Sequence, residues 1–254
     1  MTTAHDTHGS EGWQAGVRRR LGLGRLLPLG SAEDGSWLAE AAAARALRAA
    51  GAAGTGGALT LGRVRVGPAD DEEGGEDPKA PGPTGDAALA PVPPVPWSAQ
   101  PPGPLRIEAE FEAARDEPLP ALAQRLRAAL LACARDGLGL RVEAVDLRVT
   151  GLRGDEGEPA AREPVAQRSG PVGPDGVPGV SDVPGVAHLT AVLGRGLSES
   201  SEGDLRVELA TSAGHRVLDV ARAVRVALAR ERPGARSVAV VVTEIAAAPE
   251  AARP

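Results

Sequence analysis

Apolar positions along this chain follow two periods, and the pattern switches from one to the other twice in the same order. Leu105, Ile107, Ala109 and Phe111 alternate with Arg106, Glu108, Glu110 and Glu112. A period of two with one apolar face predicts a half-buried strand. Leu119, Leu122, Leu126, Leu130 and Cys133 then fall three or four apart, which predicts one stripe on a helix. Val145, Leu147, Val149, Thr150 and Leu152 predict a second strand. About a hundred residues later the order returns. Leu205, Val207 and Leu209 alternate with Arg206 and Glu208. Val217, Val220, Val224 and Leu228 form a stripe, and Val238, Val240, Val242, Thr243 and Ile245 close the unit.

The two helices align without a gap, Leu126-Arg127 on Val224-Arg225 and Ala129-Leu130 on Ala227-Leu228. Arg125, Arg127, Arg222 and Arg225 fall on the polar sides. The first helix should stop at Gly137 or Gly139, and the second at Pro233-Gly234. In the last strand Ala239 and Val241 are apolar as well. A continuously apolar strand is covered on both faces, so 238–243 is expected in the middle of its sheet. The predicted fold class is therefore α+β, with duplicated strand-helix-strand units on small sheets joined by disordered Pro/Gly-rich linkers. One such unit cannot hide its own apolar faces. It needs another strand, which 186–193 can supply, or the other unit packed against it.

The remaining segments follow from local chemistry. Residues 1–12 read as a disordered tail and 13–67 as an N-terminal helix and strand unit, open to being a third, worn copy. In it, Trp13, Val17 and Leu21 surround Arg18-Arg19-Arg20. That spacing suits a short helix packing Trp13 on the domain, or one resting weakly on an anionic membrane surface. Asp34 or Ser36 is the candidate N-cap of an alanine-rich helix from Trp37-Leu38 to Ala50. Leu59, Leu61, Val64 and Val66 predict a strand. Residues 68–104 form an acidic, then proline-rich linker, in which Trp97 can anchor on a neighbouring surface. The first unit spans 105–152, a second linker 153–175, the C-terminal unit 176–246 and a tail 247–254. Each Val-Pro-Gly-Val at 177–180 and 183–186 favours a type II turn. Residues 198–204, SESSEGD, read as a hairpin loop.

Composition narrows the function classes. Net charge is −6, which argues against nucleic acid, a ligand that needs clustered positive charge. Lys79 is the only lysine, and tyrosine is absent, so arginine in place of lysine carries little functional meaning. Cys133 is the single cysteine and cannot form an internal disulfide. No apolar run approaches the ~20 residues of a membrane helix, and the N-terminus has no secretory pattern; a cytoplasmic protein is expected. His5, His8, His188 and His215 have no metal-ligand spacing. His215 with Asp219 suits an i,i+4 pair at a helix start, and Glu108, Glu110 and Glu112 suit a solvated sheet surface. Gly54–Gly57 is not followed by the Lys-Ser/Thr of a phosphate loop. No residue is expected to be catalytic, cofactor-binding or metal-ligating, and no cofactor is implied.

The C-terminal stretch resembles the alkaline-shock/general-stress envelope protein family of Gram-positive bacteria. The carriers are VPGVAHLTAVLG at 183–194, LRVELAT at 205–211, HRVLDVARAVRVAL at 215–228 and SVAVVVTEI at 237–245. They cover about a quarter of the chain, with a longer acidic loop and a shortened front part as departures. Over most of its predicted ordered length the chain resembles an actinobacterial family labelled nucleopolyhedrovirus P-ten family proteins. There the carriers are VRRRLGLGRLLPLG, DGSWLAEAAA, PPGPLRIEAEF and VDLRVTGL. That label implies coiled-coil fibres, but the chain has no sustained a/d heptads. The envelope-family resemblance implies a non-catalytic protein acting with membrane-tethered homologues under envelope stress. Protein partners, itself or such relatives, are expected to meet it at sheet edges. The alternative is a small-molecule or peptide site between the two units, recognisable as a pocket with convergent polar groups.

Overall fold

The computed structural model describes residues 22–69, 92–96, 98–115, 117–153, 177 and 179–246. The basic stretch around Trp13, Trp97, the acidic run after residue 69 and most of the second linker lie outside them.

The chain is α+β with two sheets. Strand β1 is Leu26–Pro28, β2 is Ser36–Ala39, β3 is Leu59–Pro68, β4 is Leu105–Ala114 and β5 is Val142–Arg153. Strands β6, β7, β8 and β9 are Val186–Leu189, Leu197–Glu199, Asp204–Ser212 and Ser237–Ala246. Three helices join them: α1 at Glu40–Gly54, α2 at Leu119–Ala132 and α3 at Val217–Glu231. The larger sheet runs β1-β2-β9-β8-β6, with β7 also on β8, and the smaller runs β3-β4-β5. Both strand-helix-strand units join parallel neighbours, β4 to β5 through α2 and β8 to β9 through α3.

The periodicities become faces. Leu105, Ile107, Ala109, Phe111 and Ala113 are buried on one side of β4, and Leu122, Leu126 and Leu130 are the buried stripe of α2. Val217, Val220, Val224 and Leu228 are buried along α3. Strand β9 lies between β2 and β8, and its residues 237–243 are all buried. That is the central position its unbroken apolar run predicts. At the equivalent point of each unit an arginine folds back on the second strand. Arg127 Nε donates to the Val145 carbonyl at 3.4 Å, and Arg225 Nε to that of Val238 at 3.0 Å. Both carbonyls belong to residues that align in the two copies, so the units share a contact as well as a pattern.

Turns follow their residues. In each Val-Pro-Gly-Val the last amide donates to the first carbonyl, Val180 to Val177 and Val186 to Val183. Gly185, with φ of 91°, takes the conformation that the third position of a type II turn requires. The acidic loop closes a hairpin, pairing β7 antiparallel with β8. Helix α2 widens into a π-helical turn, Cys133–Leu138, and stops at Gly139 in the left-handed region.

Several expectations change. Trp37 and Leu38 do not start the alanine-rich helix; they lie in β2, opposite Val241 and Val242 of β9. Burial of both side chains against the central strand outweighs the local helical pattern. Asp34 and Ser36 are accordingly not its N-cap. Asp34 closes a 3₁₀ turn instead, its carboxylate accepting from the Ser31 amide and hydroxyl, and α1 begins after Ala39. Helix α1 links strands of different sheets, β2 and β3, so the N-terminal segment is not a third unit of the same topology. The end of the proline-rich linker is docked. The Leu26 amide donates to the Ser98 carbonyl and the Gln100 amide to that of Leu26, and Gln100 is buried.

Candidate functional site: an open sheet edge

Unpaired strand edges expose rows of backbone donors and acceptors, and folded chains blunt them. Most edges here are blunted. Strand β1 is flanked by residues 98–100 through a parallel bridge from Leu26 to Ala99. Strands β6 and β7 have four and three residues. Strand β3 carries a bulge between Leu61 and Val64 and ends in Pro68. Its Gly62 carbonyl accepts from Arg48 and its Val66 amide donates to Glu40.

Strand β5 is different. It runs for 12 residues, and its bulges at residues 143 and 150 leave a regular run over 144–149. Its Val142 and Val145 carbonyls accept from Arg135 and Arg127, and among the described residues only β4 pairs with it as a strand. Arg148, Val149, Thr150 and Leu152 are exposed, Val149 at 42% and Leu152 at 52%. The register with β4 sets the faces. Val145, Leu147 and Val149 lie beside Ile107, Ala109 and Phe111 on the helix-covered face. Asp146 and Arg148 lie beside Glu108 and Glu110 on the open one. Asp146 takes Arg106 Nη1 at 3.2 Å, yet its side chain stays 59% exposed.

Charged clusters elsewhere tie elements together. Arg222 grips Asp34 through Nε at 2.7 Å and Nη2 at 3.3 Å, and Arg225 donates to the Glu33 carbonyl at 2.7 Å. These two α3 arginines clamp the 3₁₀ turn. Asp219 pairs with Arg216 at 3.2 Å and lies 3.9 Å from Arg222. The arginines flanking α3's first turn thus take the part expected of His215, which is exposed just before the helix. Asp204 accepts from Arg236 and from the Ser237 hydroxyl at 2.6 Å, closing the base of the β8–β9 pair. Alternation puts Glu208 on the polar face of β8, yet its side chain is fully buried. The Leu193 amide donates to its Oε2 at 2.8 Å, and Arg206 lies 3.6 Å from Oε1. A backbone donor and a nearby guanidinium are what a buried carboxylate needs.

Two of these carboxylates carry a pH prediction. Burial alone would raise the Asp34 carboxyl, but hydrogen bonds from Arg222 and Ser31 and the Arg222 charge hold it below its ordinary value. Hydrogen bonds from Arg236 and then Ser237 lower Asp204 similarly. The unfolded chain therefore binds more protons in acid. The stabilisation is complete above the ordinary aspartate pKa of ~3.9 and is lost as pH falls through the depressed folded values. Melting temperature measured from pH 7 to pH 3 should drop along this limb, and Asp34→Asn or Asp204→Asn should flatten it. An unchanged limb in both variants would contradict the assignment.

Little among the described residues points to reaction chemistry. Burial pushes the Cys133 thiol up, away from the thiolate a nucleophile needs. Among the described residues no three His, Cys, Asp or Glu side chains gather as a metal site. A polar cleft of about 200 Å³ is lined by Arg25, Glu40, Arg65, Arg106 and Glu108 with β3 backbone. It lies at the β3–β4 corner rather than between the two units. Its groups already meet internally: Glu40 accepts from the Arg25 and Val66 amides and Arg106 pairs with Asp146. Among the described residues no helix is long and apolar enough to cross a membrane.

No protein-family model matches the chain, and no curated protein or solved structure matches it. The edge of β5 had a sequence signal, Val149 and Leu152 with Asp146 and Arg148 between linkers. Only the strand order reveals that no described strand pairs with its outer side.

Proposed function

We propose that this chain is a non-enzymatic cytoplasmic assembly protein that joins itself or related membrane-tethered proteins through sheet edges, in the upkeep of the stressed cell envelope. The observation that carries the assembly part is β5, a 12-residue edge strand whose regular run 144–149 and exposed Val149 and Leu152 have no strand on their outer side among the described residues. An exposed apolar edge is a template for another strand. The envelope role rests on the resemblance of 183–245 to the alkaline-shock family. Light scattering during size-exclusion chromatography tests it, with the full chain run alone over a concentration series and mixed with a membrane-anchored relative from the same cell. A concentration-dependent oligomer or a stable mixed complex is the expected result. A strict monomer that ignores the relative refutes the proposal.

A further inference from the structure

We infer that β5 pairs antiparallel with β5 of a second copy, on a two-fold axis through Leu147, joining two three-stranded sheets into one of six. The inference deepens the assembly reading and rests on it, adding the partner, the edge and the register.

The register follows from charge and face. Antiparallel pairing about Leu147 sets Asp146 opposite Arg148 of the other copy, and Arg148 opposite its Asp146. Both pairs lie on the open face, beside Glu108 and Glu110. Val145 then meets Val149, Leu147 meets itself, and Val149 meets Val145, all on the apolar face. Directly opposed unlike charges and apolar pairs both favour a strand pair, and like charges oppose it. Moving the axis by one residue to Asp146 puts carboxylate on carboxylate. Moving it to Arg148 puts guanidinium on guanidinium. An axis between residues sets the charged face of one strand against the apolar face of the other, the penalty of a one-residue slip. Leu147 is thus the centre that satisfies both faces. A two-fold contact of this kind uses the same patch on both copies and closes on itself.

Charge reversal tests the register with a built-in control. Asp146→Arg leaves two arginines on the edge, and Arg148→Asp leaves two aspartates. Each variant alone should dimerise about tenfold more weakly or worse in sedimentation or light scattering, because both symmetric pairs turn repulsive. Mixed one to one, the two variants should recover a dimer, since every pair across the axis is again unlike. The double variant D146R/R148D should also recover it by itself. Recovery on mixing separates a register effect from misfolding, including any cost of losing the Arg106–Asp146 pair. If wild type self-associates but both single variants match it, or the mixture stays dissociated, this edge and register are overturned while the assembly reading stands. If wild type is monomeric at every concentration and also ignores the anchored relative, both fall.

Discussion

Phe111→Ala is expected to be the most damaging single truncation, lowering stability by about 3–5 kcal/mol. Phe111 is the only phenylalanine in the chain and is fully buried on β4, the middle strand of the smaller sheet. Around it the core of that sheet is leucine, isoleucine, valine and alanine, among them Leu105, Ile107, Leu122, Leu126 and Val145. Removing the ring forfeits its transfer from water and leaves a cavity that rigid strand neighbours on both sides cannot close. Domain stabilities are ~5–15 kcal/mol, so the loss is a large share of the total. For a chain of this size it corresponds to a fall of roughly 10 °C in melting temperature. Val149→Ala on the neighbouring strand, exposed at 42%, should change the monomer's stability by no more than about 0.5 kcal/mol. Equal losses in the two variants would mean that β4 is not the core of this sheet.

Gly139→Ala is expected to cost about 2–5 kcal/mol although it adds a single methyl. Two penalties combine. Gly139 ends the π-helical turn at φ of 85°, where a Cβ costs about 1–2 kcal/mol. That Cβ would also overlap the Cβ of Leu218, a backbone-anchored atom on α3 that cannot swing aside, and overpacking of this kind costs about 1–3 kcal/mol. The site matters because it joins the two units. The Gly30 amide donates to the Gly139 carbonyl at 3.1 Å, and Arg216 reaches across to the Arg135 carbonyl at 3.2 Å. Chemical denaturation should show the loss as a lower midpoint. Splitting of one transition into two would show further that this contact couples the smaller sheet to the larger. Gly137, two residues earlier and without a close neighbour beyond Cys133 Sγ at 4.0 Å, is the control; its alanine variant should stay near wild type.

The units themselves were legible because their information is local. Alternation along β4, the three-and-four stripes of α2 and α3, and the two Val-Pro-Gly-Val turns each depend on residues within one element. The unbroken apolar run of 238–242 even forecast a central strand, since only coverage on both faces removes the need for a polar side. The docking of 98–100 on β1 was less legible. Nothing in a proline-rich stretch says that Gln100 will be buried or that Ser98 and Gln100 will exchange backbone hydrogen bonds with Leu26.

Local pattern thus specifies which faces are apolar, where the chain turns and that two strand-helix-strand units recur with an arginine at matching positions. What covers each face is set by the assembled fold. Pairing with distant β9 turns Trp37 and Leu38 into a strand. Glu208 alternates with Val207 and Leu209 and so reads as solvent-facing, yet the fold buries it beneath the Leu193 amide. Strand order also places β5 at the end of its sheet, leaving Val149 and Leu152 beyond the reach of the core. One cause underlies all three: periodicity records a side chain's direction relative to its own backbone, whereas burial and pairing depend on distant segments whose approach no local pattern encodes.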